Sequence, residues 1–321
     1  MTYLDYQATT PLAPEALAAM LPWFERQHAN PHSAHREGRA AKAAVELARE
    51  RVAGLMPSGG AVNFTAGATE ALNWAIKGVS GAIVTIATEH AAVLETVEGE
   101  RRAGREVTVL PVKSDGVVDM DVAREAIAPG VRLVAAMLVN NEIGTIQPIA
   151  EITRLARNAG ALLLCDAVQG YGRVAIPPDC DLIAVSAHKI HGPKGIGALW
   201  IRDGLSIAPL LHGGLQEAGG RSGTLSPALC AGFGAAAMLA VERWEDDATH
   251  VGNLWRAAVE RLGAAWTING TTDHRYHGNL NVRRHGLDVA RLMSDLRDVA
   301  FSAGSACASG SGRPSHVLRA I

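Results

Sequence analysis

The sequence predicts an α/β fold, a large domain with a mostly parallel seven-stranded sheet and a smaller α+β domain after it. Three observations predict this. Short β-branched runs alternate with longer helical stretches, as they do where a parallel sheet is wrapped by helices. Seven such runs occur, enough for one wide sheet with helices on both faces. The texture then changes after an apolar helix near residues 226–244, where short strands and a charged helix take over.

The elements follow in order. Helices are expected over residues 14–28 and 34–55; in the second, Ala41, Val45, Ala48 and Val52 recur at helical spacing. Strands are expected at 61–65, 82–87, 106–111, 133–139, 161–165, 182–186 and 198–201. Ala228 to Val241 is the longest apolar run, too short to span a bilayer and suited to a core helix. Asp246 and Asp247 are expected to precede the next helix, with short strands near 266–268 and 280–282. Neither an internal repeat nor a low-complexity tract is visible.

Composition narrows the function classes. The 321 residues are 48% hydrophobic and 19% charged, with a formal net charge of -2. No basic excess is present to neutralise phosphates, so nucleic acid is not an expected partner. The start, Met1-Thr2-Tyr3-Leu4-Asp5-Tyr6, does not read as a signal peptide, and no membrane span is expected. Cys165, Cys180, Cys230 and Cys307 show neither paired metal spacing nor a disulfide framework. A reducing cytoplasm and no metal are the expectations.

Chemistry concentrates where strands end. The apolar run from Ala161 ends at Asp166, and ligands of open α/β sheets bind beyond the carboxyl ends of strands. An Asp there suits a protonated pyridine nitrogen, although such an Asp taken alone is more often a turn or cap residue. The next strand, ending at Ser186, runs into Ala187-His188-Lys189 and a Gly/Pro-rich turn. Burial there would lower the lysine pKa and free the amine for condensation with an aldehyde. Gly67, Ala68 and Thr69 join a strand to a helix and offer backbone amides and a hydroxyl to a phosphate; such turns are also common without a ligand. Residues 213–224 form a second small-residue loop, equally readable as a connector. Cys307 sits in a Ser/Ala/Gly stretch from Ser302 to Gly312, with no bulky neighbour to bury it, which suits an accessible nucleophile. Cys165 and Cys230 read as packed in the core; Cys180, after Pro177-Pro178-Asp179, reads as structural or incidental and open to exposure.

Taken together, Thr65-Ala-Gly-Ala-Thr-Glu70, Thr88-Glu-His90, Val139-Asn-Asn-Glu-Ile-Gly144, Asp166-Ala-Val-Gln169, Ser186-Ala-His-Lys189 and Arg221-Ser-Gly-Thr224 resemble the cysteine desulfurases. These are class V aminotransferase relatives, of fold type I among pyridoxal 5'-phosphate enzymes. Ser302-Ala-Gly-Ser-Ala-Cys307-Ala-Ser resembles the cysteine loop of their group I, and the group II Arg-x-Gly-His-His-Cys pattern is absent. The resemblance runs in one order from Tyr3 to the last residue.

The resemblance implies the roles. Lys189 is similar to the lysine that carries the cofactor, Asp166 to the partner of the ring nitrogen, and Gln169 to the donor toward the ring hydroxyl. His90 resembles the histidine stacked on the ring, which also moves protons. Ala68, Thr69, Ser186 and His188 resemble the phosphate site, and Thr224 the residue reaching the other subunit's phosphate. Asn141 resembles the residue beside the ring hydroxyl and the substrate carboxylate, and Cys307 the nucleophile. Residues 15–244 would form the cofactor-binding domain; 1–14 and 245–321 would form the small domain with the cysteine loop. The implied reaction converts L-cysteine to L-alanine, leaving sulfur as a persulfide on Cys307. A homodimer would then pass that sulfur to a scaffold or relay protein, for iron–sulfur cluster assembly or other sulfur traffic. The sequence stops at Ile321, before the segment carrying the family's carboxylate-binding arginine. No residue here is assigned that role, and weak cysteine binding is the expectation. A selenocysteine lyase or an aminotransferase is the neighbouring enzyme class, and Cys307 argues against the aminotransferase. A non-catalytic sulfur-assembly subunit is the other alternative.

Overall fold

The computed structural model describes residues 1–214, 216–304 and 315–321. Its centre is a seven-stranded sheet of β2 (Gly60–Thr65), β3 (Ala82–Ile86), β4 (Val107–Leu110), β5 (Val131–Met137), β6 (Leu162–Asp166), β7 (Leu182–Ser186) and β8 (Gly197–Arg202). All seven expected strands are present, one of them (β7) at its expected bounds and the others with ends shifted by no more than two residues. The spatial order is β2-β8-β7-β6-β5-β3-β4. Only β8 runs against the others, pairing antiparallel with β7 and β2.

The strands' period of two divides their side chains between two cores. Val84, Val134, Ala136, Leu163, Ile183 and Trp200 point to one face, while Ile83, Leu133, Ala135, Leu164, Leu182 and Leu199 point to the other. Burial on both faces explains why these strands read as continuous apolar runs. The first face is covered by α2 (Arg36–Ala53) through Val45, Ala48 and Val52, by α6 (Ile149–Ala159), and by α7 (Pro227–Glu242) through Phe233, Ala236 and Ala237. Helices α3 (Ala68–Gly78) and α4 (Ala91–Arg102) cover the second with Leu72, Trp74, Ile76, Val93 and Val97. Gly234 permits the close α2–α7 approach, since a Cβ there would lie 2.8 Å from the Ala48 Cα.

Helix boundaries differ from expectation for local reasons. Helix α1 (Pro14–Glu25) stops before residue 28, because Arg26 leaves helical geometry at φ -138°. In α2 the His35 imidazole accepts from the Gly38 N–H and so defines the start, and Gly54 follows its end. Asp246 and Asp247 lie inside the first turn of α8 (Trp244–Leu262), not ahead of it. Their charges suit the partial positive end of the helix.

Between β4 and β5 in the chain lies α5 (Met120–Ala126). Two small sheets stand apart from the large one. The N-terminal β1 (Thr2–Tyr3) pairs in parallel with β11 (Val299–Ala300), while β9 (Thr267–Ile268) and β10 (Val282–Arg283) pair antiparallel. Helices α9 (Val289–Asp295) and α10 (His316–Ala320) complete the order. No described helix is long and apolar enough to cross a membrane.

Cys180 corrects the sequence reading. It is fully buried, as are Cys165 and Cys230. The turn residues before it set the backbone, but Cys180 itself leads into β7 and joins the core beneath the sheet.

Candidate active site

Strand direction gathers the site. Because β2, β3, β5, β6 and β7 are all parallel, their carboxyl ends share one edge of the sheet. That edge carries Thr65 closing β2 with residues 66–69 after it, His90 after β3, Asn141 after β5, Asp166 closing β6, and Ser186 closing β7 with Ala187 to Lys189 in the turn after it. Ligands of open α/β sheets bind there.

Asp166 is buried, with one carboxylate oxygen accepting from the Val168 N–H at 3.0 Å. Burial pushes its pKa up, opposed by His90, the Val168 N–H and Lys189. A carboxylate kept from water at a strand end is a costly structural element and a useful partner for a ligand cation. Lys189 is half-buried on the next strand's end, where its Nζ donates to the Gln7 carbonyl at 2.6 Å and the Ala8 carbonyl at 2.9 Å.

His90 caps α4. Its Nδ1 accepts from the Ala92 N–H at 3.1 Å, which leaves the ring proton on Nε2. Burial lowers its pKa, Lys189 and His316 add to that, and Asp166 and Glu142 oppose it. The ring is therefore neutral at neutral pH. His188 is also neutral, pushed down to about 4 by burial and by the Lys189 and Lys194 charges. Its Nδ1 lies 3.1 Å from Thr9 Oγ1.

The α3 N-terminus faces outward from this edge. A Cβ at Gly67 would meet nothing within 4 Å, while one at Gly197 would meet Gly67 at 2.7 Å. Strand β8 thus packs directly beneath the turn that presents the Ala68 and Thr69 amides. Glu70 braces it: its carboxylate accepts from the Ala66 N–H at 2.7 Å and pairs in two contacts, 2.7 and 3.0 Å, with Arg221. Ser186 is buried close by in sequence to His188, and Asn141 is half-buried with its carbonyl accepting from Asn279 at 3.3 Å. Thr224 is exposed. Cys307 lies outside the described residues.

Several contributors escaped the sequence reading. Residues 5–10 cross the site as a strap: the Gln7 carbonyl accepts from both Lys189 and Gln169 (2.9 Å), and Thr10 Oγ1 donates to the His188 carbonyl at 2.9 Å. Gln169 also accepts from Arg173, at 3.3 Å, and Arg173 donates to the Lys189 carbonyl. Gln7 Oε1 is buried with no hydrogen-bond partner among the described residues. Glu217 pins the second small-residue loop to β2, accepting from the Phe64 N–H and from Arg49, each at 2.6 Å. Apart from those of Arg173, these bonds join residues more than 150 positions apart, and no local pattern announces them.

The comparisons with known proteins agree with this architecture. The family described as aminotransferase class-V matches residues 2–321. The chain belongs to the class-V aminotransferase family. Among curated class-V relatives, a cysteine desulfurase IscS of Rickettsia bellii is 43% identical over 336 residues, covering 99% of this chain and 82% of that one. A solved structure described as SspA in complex with cysteine superposes with a TM-score of 0.88 at 34% identity, covering 100% of this chain and 94% of the other. A NifS-like protein from Rickettsia africae gives a TM-score of 0.89 at 28% identity, with 100% and 89% covered.

Class-V enzymes of this kind use pyridoxal phosphate, and the residues present fit it. The buried Asp166 carboxylate suits a ring cation, the α3 amides with Thr69 suit a phosphate, and Lys189 offers an amine on the turn after the strand next to Asp166.

Proposed function

We propose that this class-V chain is a pyridoxal-phosphate-dependent cysteine desulfurase, and that the residues gathered at the sheet edge divide its work. One observation carries the reading: Asp166 closes β6 and Lys189 ends the short turn after the neighbouring β7, in a chain 43% identical, over 99% of its length, to a cysteine desulfurase. Of the cofactor's phosphate, Ala68, Thr69, Ser186 and His188 would be the holders. Asp166 would hold its ring nitrogen, with His90 against the ring face and Gln169 and Asn141 at the ring hydroxyl.

When bound, pyridoxal phosphate supplies an aldehyde that condenses with amines and a ring that accepts the electron pair released at the substrate Cα. The chain's own residues do the rest. Lys189 Nζ anchors the cofactor and then takes the Cα proton of cysteine. His90, neutral with its proton on Nε2, is a donor that costs no buried charge. The Cys307 thiolate attacks the substrate sulfur, so that the C–S bond breaks as the new S–S bond forms. Cysteine plus the enzyme thiol thus become alanine plus the enzyme persulfide, and atoms balance. The persulfide passes by thiol exchange to an acceptor protein, a scaffold or relay.

The other cysteines are poorly suited to this. Burial pushes Cys230 up to about 12, and the neighbouring Cys180 thiol with burial raises Cys165 further from ionisation. The cofactor-loaded protein should release one alanine for each sulfane sulfur formed from cysteine. Pyruvate or an amino-exchanged product in place of alanine would contradict the assignment.

A homodimer is proposed from Thr224, exposed on the loop that Glu70 and Glu217 hold beside the α3 N-terminus. Light scattering should give twice the chain mass for the active, loaded enzyme; an active monomer would refute it. A cytoplasmic site is proposed from the three free buried thiols, and cell fractionation tests it.

A further inference from the structure

Four hydrogen bonds close a ring through Lys189 and Gln169. Gln169 Nε2 donates to the Gln7 carbonyl at 2.9 Å, and Lys189 Nζ donates to the same carbonyl at 2.6 Å. Arg173 completes the ring: its Nη1 donates to Gln169 Oε1 at 3.3 Å and its Nη2 to the Lys189 carbonyl. One guanidinium thus touches both the amine-bearing residue and the residue assigned to the ring hydroxyl.

The local sequence places Arg173 for this. Residues 167–174 turn tightly after β6, with the Tyr171 N–H donating to the Ala167 carbonyl and the Val174 N–H to the Gly170 carbonyl, each at 2.7 Å. These are four-residue steps, so Gln169 and Arg173, also four apart, share a face as they would on a helix. The turn is anchored in the core, where Tyr171 is fully buried and its hydroxyl donates to the Val52 carbonyl at 2.7 Å. The Arg173 guanidinium lies over the Tyr276 ring, 5.3 Å from its centroid, which limits the directions it can take.

An amide has one accepting end and one donating end. With Arg173 on Oε1, the Gln169 Nε2 is turned toward the Gln7 carbonyl and its orientation is set. Lys189 is held differently. Its Nζ has to leave the Gln7 and Ala8 carbonyls to react, whereas the bond from Arg173 to its backbone carbonyl involves no reacting atom. The planar fork of an arginine suits two acceptors at once. Arg173 can therefore keep the Lys189 backbone and the Gln169 amide in register while Nζ moves.

We propose that Arg173 is a positioning residue, holding the Gln169 amide and the Lys189 backbone at the spacing that the cofactor's ring hydroxyl and aldehyde require. This rests on the reading of the chain as a pyridoxal-phosphate enzyme with Lys189 as its amine. The competing account is an arginine that merely packs on Tyr276. Packing predicts lower stability on truncation, no selective change at the cofactor, and wild-type behaviour in Arg173→Met, which keeps the stem.

The experiment compares the cofactor-loaded wild type with Arg173→Met, Arg173→Lys, Gln169→Leu and the Arg173→Met/Gln169→Leu pair. A donor at the ring hydroxyl oxygen draws off negative charge that otherwise holds the proton on Lys189 Nζ. Its loss therefore raises the pH midpoint of the cofactor absorbance. Arg173→Met should raise that midpoint by about one unit, the worth of one hydrogen bond. Its kcat should fall about 10- to 100-fold, with the KM for cysteine within about twofold. Arg173→Lys should recover most of both losses, since an ammonium can still donate to two oxygens. Gln169→Leu should raise the midpoint as far, and the double variant no further, because Arg173 acts on the hydroxyl through Gln169. An unchanged midpoint and kcat in Arg173→Met would overturn the proposal. So would midpoint shifts that add in the double variant, or failure of both Arg173 variants to load cofactor, which would make the contact an element of the fold. A wild-type protein that takes up no pyridoxal phosphate would overturn the underlying reading and this proposal with it. A loaded, active wild type beside an indifferent Arg173→Met would overturn positioning alone.

Discussion

Lys189→Ala should lose the cofactor linkage that borohydride fixes, and alanine formation should fall by on the order of 1,000-fold or more. Two functions disappear together, the covalent anchor and the base at the substrate Cα. The geometry singles out this amine. It ends the turn that follows β7, the neighbour of the strand ending in Asp166, and its Nζ is aimed by the Gln7 and Ala8 carbonyls. Lys194, five residues on, is exposed and follows the Gly192-Pro193 turn. A phosphate site built from Ala68, Thr69 and Ser186 is untouched by the substitution, so the variant should still bind cofactor non-covalently. Borohydride reduction followed by peptide mapping is the check. A label on the Lys194 side chain, or a Lys189→Ala variant with a reducible linkage, would refute the assignment.

Cys307→Ser should keep the cofactor absorbance and its response to added cysteine, yet form no persulfide. Alanine release should fall by on the order of 1,000-fold. Cofactor and substrate binding depend on Lys189, Asp166 and the α3 amides, none of which the change touches. A serine hydroxyl at neutral pH is a poor attacker of sulfur, and no other cysteine substitutes. Cys165, Cys180 and Cys230 are all buried. Undiminished alanine production by Cys307→Ser would remove the nucleophile from the mechanism.

The sheet was legible because of what a doubly covered parallel strand must contain. Residues such as Leu162 to Cys165 or Leu182 to Val185 need an apolar side chain on each face. Their C-terminal polar residues, Asp166 and Ser186, stand out against those runs, and the site followed from them. What stayed hidden depends on distant pairings. The Lys189–Gln7, Glu70–Arg221 and Ser315–Glu142 contacts span 182, 151 and 173 positions. None has a periodicity or spacing of its own. Cys180 proves structural, and only its expected openness to exposure fails, for a related reason: a Pro-Pro-Asp turn reports backbone direction, whereas burial depends on the core that the turn leads into. The Asp246–Asp247 pair misled by being placed ahead of a helix when it lies in the acidic first turn of α8.

The account's central claim is that sulfur from cysteine comes to rest on one side chain of this chain. The direct measurement is mass spectrometry of peptides after a brief cysteine pulse to the cofactor-loaded enzyme, with thiols blocked at the end. One added sulfur atom should map to the peptide containing Cys307 and appear with one alanine released. Sulfur mapped to the peptide of Cys165, Cys180 or Cys230, or alanine released with no sulfur retained on the protein, would contradict it.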